Sequence, residues 1–316
     1  MKLTLTTLIA TSVVRGSRQG ESHGGVYLVD FDTERATQVL DWNTMSIDWQ
    51  GRGWDRGLRG IAFDGEVVYI AASDELFAWT TDFRLIGSWR NKYLKHCHEI
   101  HRHERTLFLT STGFDSIVGF DLDRKSFNWG LHVTAQESGF AGAPFDPEFD
   151  DGPAPSNRLH LNNVHCERGG MHISGLRTGG ILLFNGRAVQ RWVTLPIGVH
   201  NAQPYKDGVL FNDTEADVVR FVSRAGERVL PVPRFSEAAL THLDAEDGKL
   251  ARQAFARGLC VVEDGVVACG SSPSTITLHR LEGGAKPRMA TLTHDVRNAI
   301  HGLEVWPFAW VDGAAK

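Results

Sequence analysis

Five stretches of the chain repeat one layout: a short apolar strand, a turn built on Asp, Gly or Arg, then a second strand. Residues 59–66 run into 67–73, 98–101 into 107–111, 162–165 into 170–174, 200–203 into 208–212, and 257–260 into 265–269. Third strands follow in register at 76–79, 117–121, 181–184 and 218–221, each ahead of a polar turn and a fourth strand. Strands of about five residues at this spacing mark a sandwich or propeller rather than βαβ units. A repeat of this kind has to be found before anything else is read from a sequence.

One incomplete piece remains at each end. Residues 301–306 look like a first strand with no second, while 8–13 and 25–30 look like a blade lacking its first strand. Joining them closes a ring with no open edge. The expectation is an all-β, single-domain, six-bladed β-propeller over residues 1–316. Its closing blade is shared by the N- and C-terminal strands, and seven blades result if a weak one lies in 131–158. Residues 235–255 read as a short helical insertion with Ser236 as N-cap. Residues 131–158, with Phe140, Phe145 and Phe149, read as an irregular lid.

Aligning the units produces one polar column at the start of each innermost strand: Arg59, His98, Asn162, His200, Arg257 and His301. Two residues further on the column is apolar: Ile61, Ile100, Val164, Ala202, Leu259 and Leu303. The apolar column suits packing between blades, and the polar one marks where each strand enters the central channel. Histidine occupies every second blade, so His98, His200 and His301 converge as a facial three-nitrogen site. Neutral imidazole suits iron, copper, manganese, zinc or nickel, and three protein ligands with open positions is a catalytic arrangement. The expected cofactor is therefore a divalent transition metal (Fe, Cu, Mn or Zn).

Arg59 and Arg257 beside a cation favour an anionic group on the ligand, held with bidentate geometry, unless they pair with Glu99 or Glu304. Asn162 is a further substrate contact or a fourth ligand. A third column, Ala62, His101, His165, Gln203, Cys260 and Glu304, faces the other side of a regular strand and implies an orienting role; a bulge would reverse that. From it, His101, His165 and Glu304 are the candidate bases. The run from His96 to His103 is dense in imidazoles, yet alternate members of a strand point apart.

The net charge of −5 carries no acidic or basic runs, which argues against nucleic acid or an anionic membrane as partner. A small polar or anionic molecule is the expected partner. No stretch approaches the roughly 20 apolar residues that span a bilayer. Four scattered cysteines without CxxC spacing read as reduced thiols in a cytoplasmic protein. Residues 2–14 read as a strand rather than a signal peptide, because Thr4, Thr6, Thr7, Thr11 and Ser12 dilute the apolar run.

The architecture resembles the six-bladed propellers of the regucalcin, gluconolactonase, paraoxonase and strictosidine-synthase group. Residues 8–12, 160–163, 199–204 and 257–259 also resemble an uncharacterised bacterial propeller family. The lactonase-type resemblance implies calcium held by Glu, Asn and Asp, with Asn162 the one shared position; histidine at the other inner positions implies a softer metal. Two chemistries follow by analogy with other propellers. One is Lewis-acid hydrolysis or elimination, as in lyases with a His-rich manganese site. The other is oxygenase chemistry, as in carotenoid-cleaving propellers with four-His iron. The alternative is a non-enzymatic propeller that binds a protein or peptide over its loop face.

Overall fold

The computed structural model describes residues 7–18, 20–43, 57–244 and 251–311. Six antiparallel sheets follow one another, five of four strands and one of five. Blade 1 places Asn298–Val305 innermost, then Thr7–Val14, Gly25–Asp30 and Arg35–Asp41. Blades 2, 4, 5 and 6 open on Ile61–Asp64, Leu161–Glu167, Val199–Tyr205 and Phe255–Glu263, and each runs outward in sequence order. Blade 3 opens on Ile100–His103 and ends in a hairpin, Ser126–Gln136 with Gly139–Phe145. The innermost strands touch in succession around the ring and the sixth meets the first, which closes a six-bladed propeller.

The core is divided among the six interblade seams. Ile9, Val26 and Leu28 of blade 1 meet Ile61, Ile70 and Phe77 of blade 2. The apolar column supplies one residue to each seam: Ile61, Ile100, Val164, Ala202, Leu259 and Leu303 fall in six separate clusters, and all are buried. A two-residue period on strands packed on both faces explains this. One face of each inner strand serves the preceding blade, while the edge is left for the axis.

Polar tethers cross the same seams beside the axis. Thr11 Oγ1 donates to Arg59 O at 2.6 Å, Arg59 Nη1 to Cys97 O at 3.1 Å, and Thr112 Oγ1 to Leu161 O. Asn162 Nδ2 donates to Val199 O at 2.9 Å, Asn212 Nδ2 to Arg257 O at 2.8 Å, and Ser274 Oγ to Asn298 Oδ1 at 2.8 Å. All six seams are thus bridged. The backbone acceptors among these lie where an inner strand begins or leaves its ladder, so a buried carbonyl there needs a partner from elsewhere; the previous blade provides it.

Two expectations about the insertions are corrected. Residues 131–158 form no seventh blade: the β-branched run through Val133 and Thr134 keeps pairing and turns back at Gly139 (φ 146°) as a fifth strand on blade 3, and the irregular part is confined to 146–158. Among the described residues of 235–255 the helical part is one 3-10 turn, Glu237–Ala239, and Ser236 makes no side-chain cap bond. The segment is pinned instead by Phe235 N to Gln253 Oε1 at 2.8 Å and by a bridge between Thr241 and Asp295. So short an excursion has no length over which helix propagation offsets nucleation. Part of this insertion (245–250) and most of the loop 43–58 lie outside the described residues. All four cysteines are free and buried. No described helix is long and apolar enough to cross a membrane.

Candidate metal centre

Every member of the polar column is buried: Arg59, His98, Asn162, His200, Arg257 and His301. The inner strands reach the axis through irregular starts. Register shifts fall between Leu161 and Asn163, His200 and Gln203, Ala256 and Leu259, and opposite Ile300–Leu303. In blade 3, Thr110 Oγ1 accepts from both His98 N (2.9 Å) and Glu99 N (3.1 Å), which replaces a ladder bond. Each bulge adds one residue and so turns positions three apart toward the same side.

The histidines that gather most tightly are His98, His160 and His200. Their donor nitrogens all lie within 4.8 Å of one another, and the ring centroids are 5.3, 6.1 and 6.4 Å apart. A transition metal sits about 2.0–2.1 Å from each imidazole nitrogen, so donors sharing one stand no more than about 4.2 Å apart, and the rings draw together to hold it. The tautomers suit that role. His98 Nδ1 is 2.9 Å from both His96 O and Thr112 Oγ1, and His160 Nδ1 is 2.9 Å from Asn157 Oδ1. A carbonyl partner fixes the proton on Nδ1 and directs the Nε2 lone pair outward. His200 Nδ1 is buried with no hydrogen-bond partner. The set of three imidazoles fits zinc, manganese, iron or copper.

His301 stands beside this trio, 6.0 Å from His98 between ring centroids. Its Nε2 is 2.8 Å from Arg257 Nη1. A guanidinium only donates, so that lone pair is engaged by Arg257. His160 takes the third place because it precedes its blade's polar-column residue by two positions, where the chain adopts φ 55°. His96 (φ 54°) and Gly198 (φ 90°) hold the same offset in blades 3 and 5. Two histidines at a left-handed position suited to glycine were the signal in the sequence.

Burial pushes the His200 imidazole well below its usual range, and Arg257, His160, Arg15 and Arg59 add repulsion. His301 is depressed likewise, by burial and then by Arg257, Arg59, Arg15 and His98. Both rings are therefore neutral at pH 7, the state a metal requires. Arg59 and Arg257 flank the trio as the alignment expects. Asn162 is a tether to blade 5, with Oδ1 buried and without a hydrogen-bond partner.

Two members of the third column, Ala62 and Cys260, pack in the seam that follows their blade, on the other side of the strand from Ile61 and Leu259. The rings of His101 and His165 meet at 4.7 Å from adjacent blades. Cys260 Sγ lies 3.7 Å from Glu304 Oε2 across the last seam. Asn201 Nδ2 donates to Glu99 Oε1 at 3.1 Å, joining blades 5 and 3 past blade 4. Burial raises Glu99 to about 8, assisted by the charge of Glu304, and raises Glu304 to about 7. His101 falls to about 4, by burial and then by repulsion from His165 and His103. A carboxyl near 7 can both give and take a proton at neutral pH.

Glu304 has a measurable consequence. Its folded pKa exceeds the unfolded value, so its contribution is full below about pH 4.5 and is lost as pH rises through about 7. Glu304→Gln is expected to remove a decline of roughly 1–3 kcal/mol between pH 4.5 and 8. Urea unfolding across that range reads it out. An unchanged slope in the variant would show that Glu304 is ionised in the fold.

The fold and the axial histidines define a six-bladed β-propeller with a three-imidazole cluster in its channel. No protein-family model matches the sequence, and no curated protein does. Among solved structures, a protein of unknown function from Bacteroides caccae superposes with TM-score 0.56 at 9% identity, over 96% of this chain and 100% of that one. Apo AztD from Citrobacter koseri gives TM-score 0.48 at 10% identity, over 96% and 98% of the two chains. A streptogramin B lyase gives 0.44 at 11%, over 77% and 85%. The first of these likenesses shows a shared fold and nothing of activity.

Proposed function

We propose that the chain is a metal-dependent enzyme acting on a small polar or anionic organic molecule, at a centre held by His98, His160 and His200. The observation that carries this reading is the convergence of three donor nitrogens within 4.8 Å in the channel, with burial holding His200 neutral. A bound divalent metal supplies Lewis acidity toward a carbonyl or carboxylate oxygen and lowers the pKa of a bound water. Hydrolysis or elimination is favoured over oxygenase chemistry, because what surrounds the trio is polar and charged. Arg15, Arg59 and Arg257 are all buried near it, and their positive field draws and orients an anionic group. Glu304, with a pKa near neutrality, is the proposed proton carrier, with His101 and His165 as further candidates.

Elemental analysis of the full chain purified without chelator tests the reading. About one equivalent of zinc, manganese, iron or copper is expected. Stripped protein is then reloaded with each metal and assayed on lactones, esters and uronates that bear a carboxylate. Background metal content, with no uptake on reloading, would sink the proposal and leave a propeller that binds a protein or peptide over its loop face.

A further inference from the structure

We infer that Asp115 and Asn157 are positioning residues for the metal centre, aiming His160 into it; this rests on the proposed trio. Asp115 is buried in the turn before the third strand of blade 3, yet its hydrogen bonds go to the segment that enters blade 4. Oδ1 accepts from Leu159 N at 3.1 Å and His160 N at 2.9 Å. Oδ2 accepts from Ser156 Oγ at 2.7 Å and Arg158 N at 2.6 Å. Four donors from five consecutive residues thus converge on one carboxylate. Charge-assisted bonds of this kind are about twice as strong as neutral ones.

What they hold is a strained presentation. His160 sits at φ 55°, a region that costs a residue with a Cβ about 1–2 kcal/mol. Released from Asp115, the segment is free to relax toward ordinary backbone, and the ring would swing away from His98 and His200. A structural anchor would do the same for any loop. Asn157 adds what anchoring alone does not require: its Oδ1 takes the Nδ1 proton of His160 at 2.9 Å and so fixes which nitrogen faces the channel. Arg177 bonds to the carbonyls of both Arg158 and Asn157, bracing the segment from blade 4.

The test is Co2+ titration of the chelator-stripped full chain, reading affinity by competition and ligand geometry by visible absorption, with thermal unfolding of the metal-free proteins in parallel. Asp115→Asn and Asn157→Ala are each expected to weaken Co2+ binding by roughly 10- to 100-fold and to change the spectrum. Asn157→Asp keeps the acceptor and is expected to stay within a few-fold of wild type. Asn157 is exposed, so its variants fold and decide the question should Asp115→Asn fail to. Wild-type affinity and spectrum in Asn157→Ala would overturn the inference while leaving the trio intact. No Co2+ uptake by the wild type would overturn both.

Discussion

Alanine at His98, His160 or His200 is expected to cost at least roughly 100-fold in metal affinity, while His301→Ala keeps most of it. Loss of a supporting partner alone costs 10- to 100-fold in metal sites, so removal of a ligand costs no less. The contrast between His160 and His301 is the informative part. Both lie in the channel, and alternation around the ring favours His301. In the structure its Nε2 is turned to Arg257 at 2.8 Å, whereas His160 shares the 4.8 Å cluster. Elemental analysis and isothermal titration on the four variants read the result. Tight binding by His160→Ala with loss in His301→Ala would return the site to the alternating set. Thermal unfolding of each variant is read in parallel, because His98 bonds the tether hydroxyl of Thr112 and His301 is the partner of the buried Arg257.

Gly302→Ala is expected to destabilise the protein by at least about 3 kcal/mol, more than usual for one added methyl. A Cβ at Gly302 would stand 2.2 Å from Arg59 O and 2.6 Å from Thr11 Oγ1. The first of these is backbone of the next blade and has nowhere to move. Gly302 N also donates to Thr11 Oγ1 at 2.8 Å, and that hydroxyl passes its own proton to Arg59 O. The substitution therefore wedges apart the last strand of the chain, the first, and the entry to blade 2 at once. Gly87→Ala is the matched control, because its nearest neighbour would be Trp89 Cη2 at an ordinary 3.5 Å. Urea midpoints followed by tryptophan fluorescence separate the two. Equal midpoints would mean that the ring closes with slack at this junction.

The ring itself was legible from the sequence because its signals are periodic. Strand length, the apolar column and the polar column each recur six times, and each apolar member occupies its own seam. The site was legible only in part. His98 and His200 belong to the column, but His160 belongs to the turn ahead of it, a position whose residue type changes from His96 and His160 to Gly198 around the ring. The contact of the His101 and His165 rings and the approach of Cys260 to Glu304 depend on how adjacent inner strands meet, which leaves no trace in hydrophobic patterning. The insertions misled for a related reason. Apolar residues at 131–145 serve equally as lid or hairpin, and strand pairing decided it.

Because the tethers beside the axis always run from one blade to the next, no blade in this protein can satisfy its own inner strand alone. Thr11 answers for Arg59, Arg59 for Cys97, Thr112 for Leu161, Asn162 for Val199 and Asn212 for Arg257. In an open repeat array, units melt from the ends and the remainder persists. Here the opening of one sector strips partners from its neighbours, and unfolding is expected to be all-or-none. The histidines sit at the meeting point of these obligations, so damage at the rim is transmitted to the centre as loss of the whole fold rather than as local fraying.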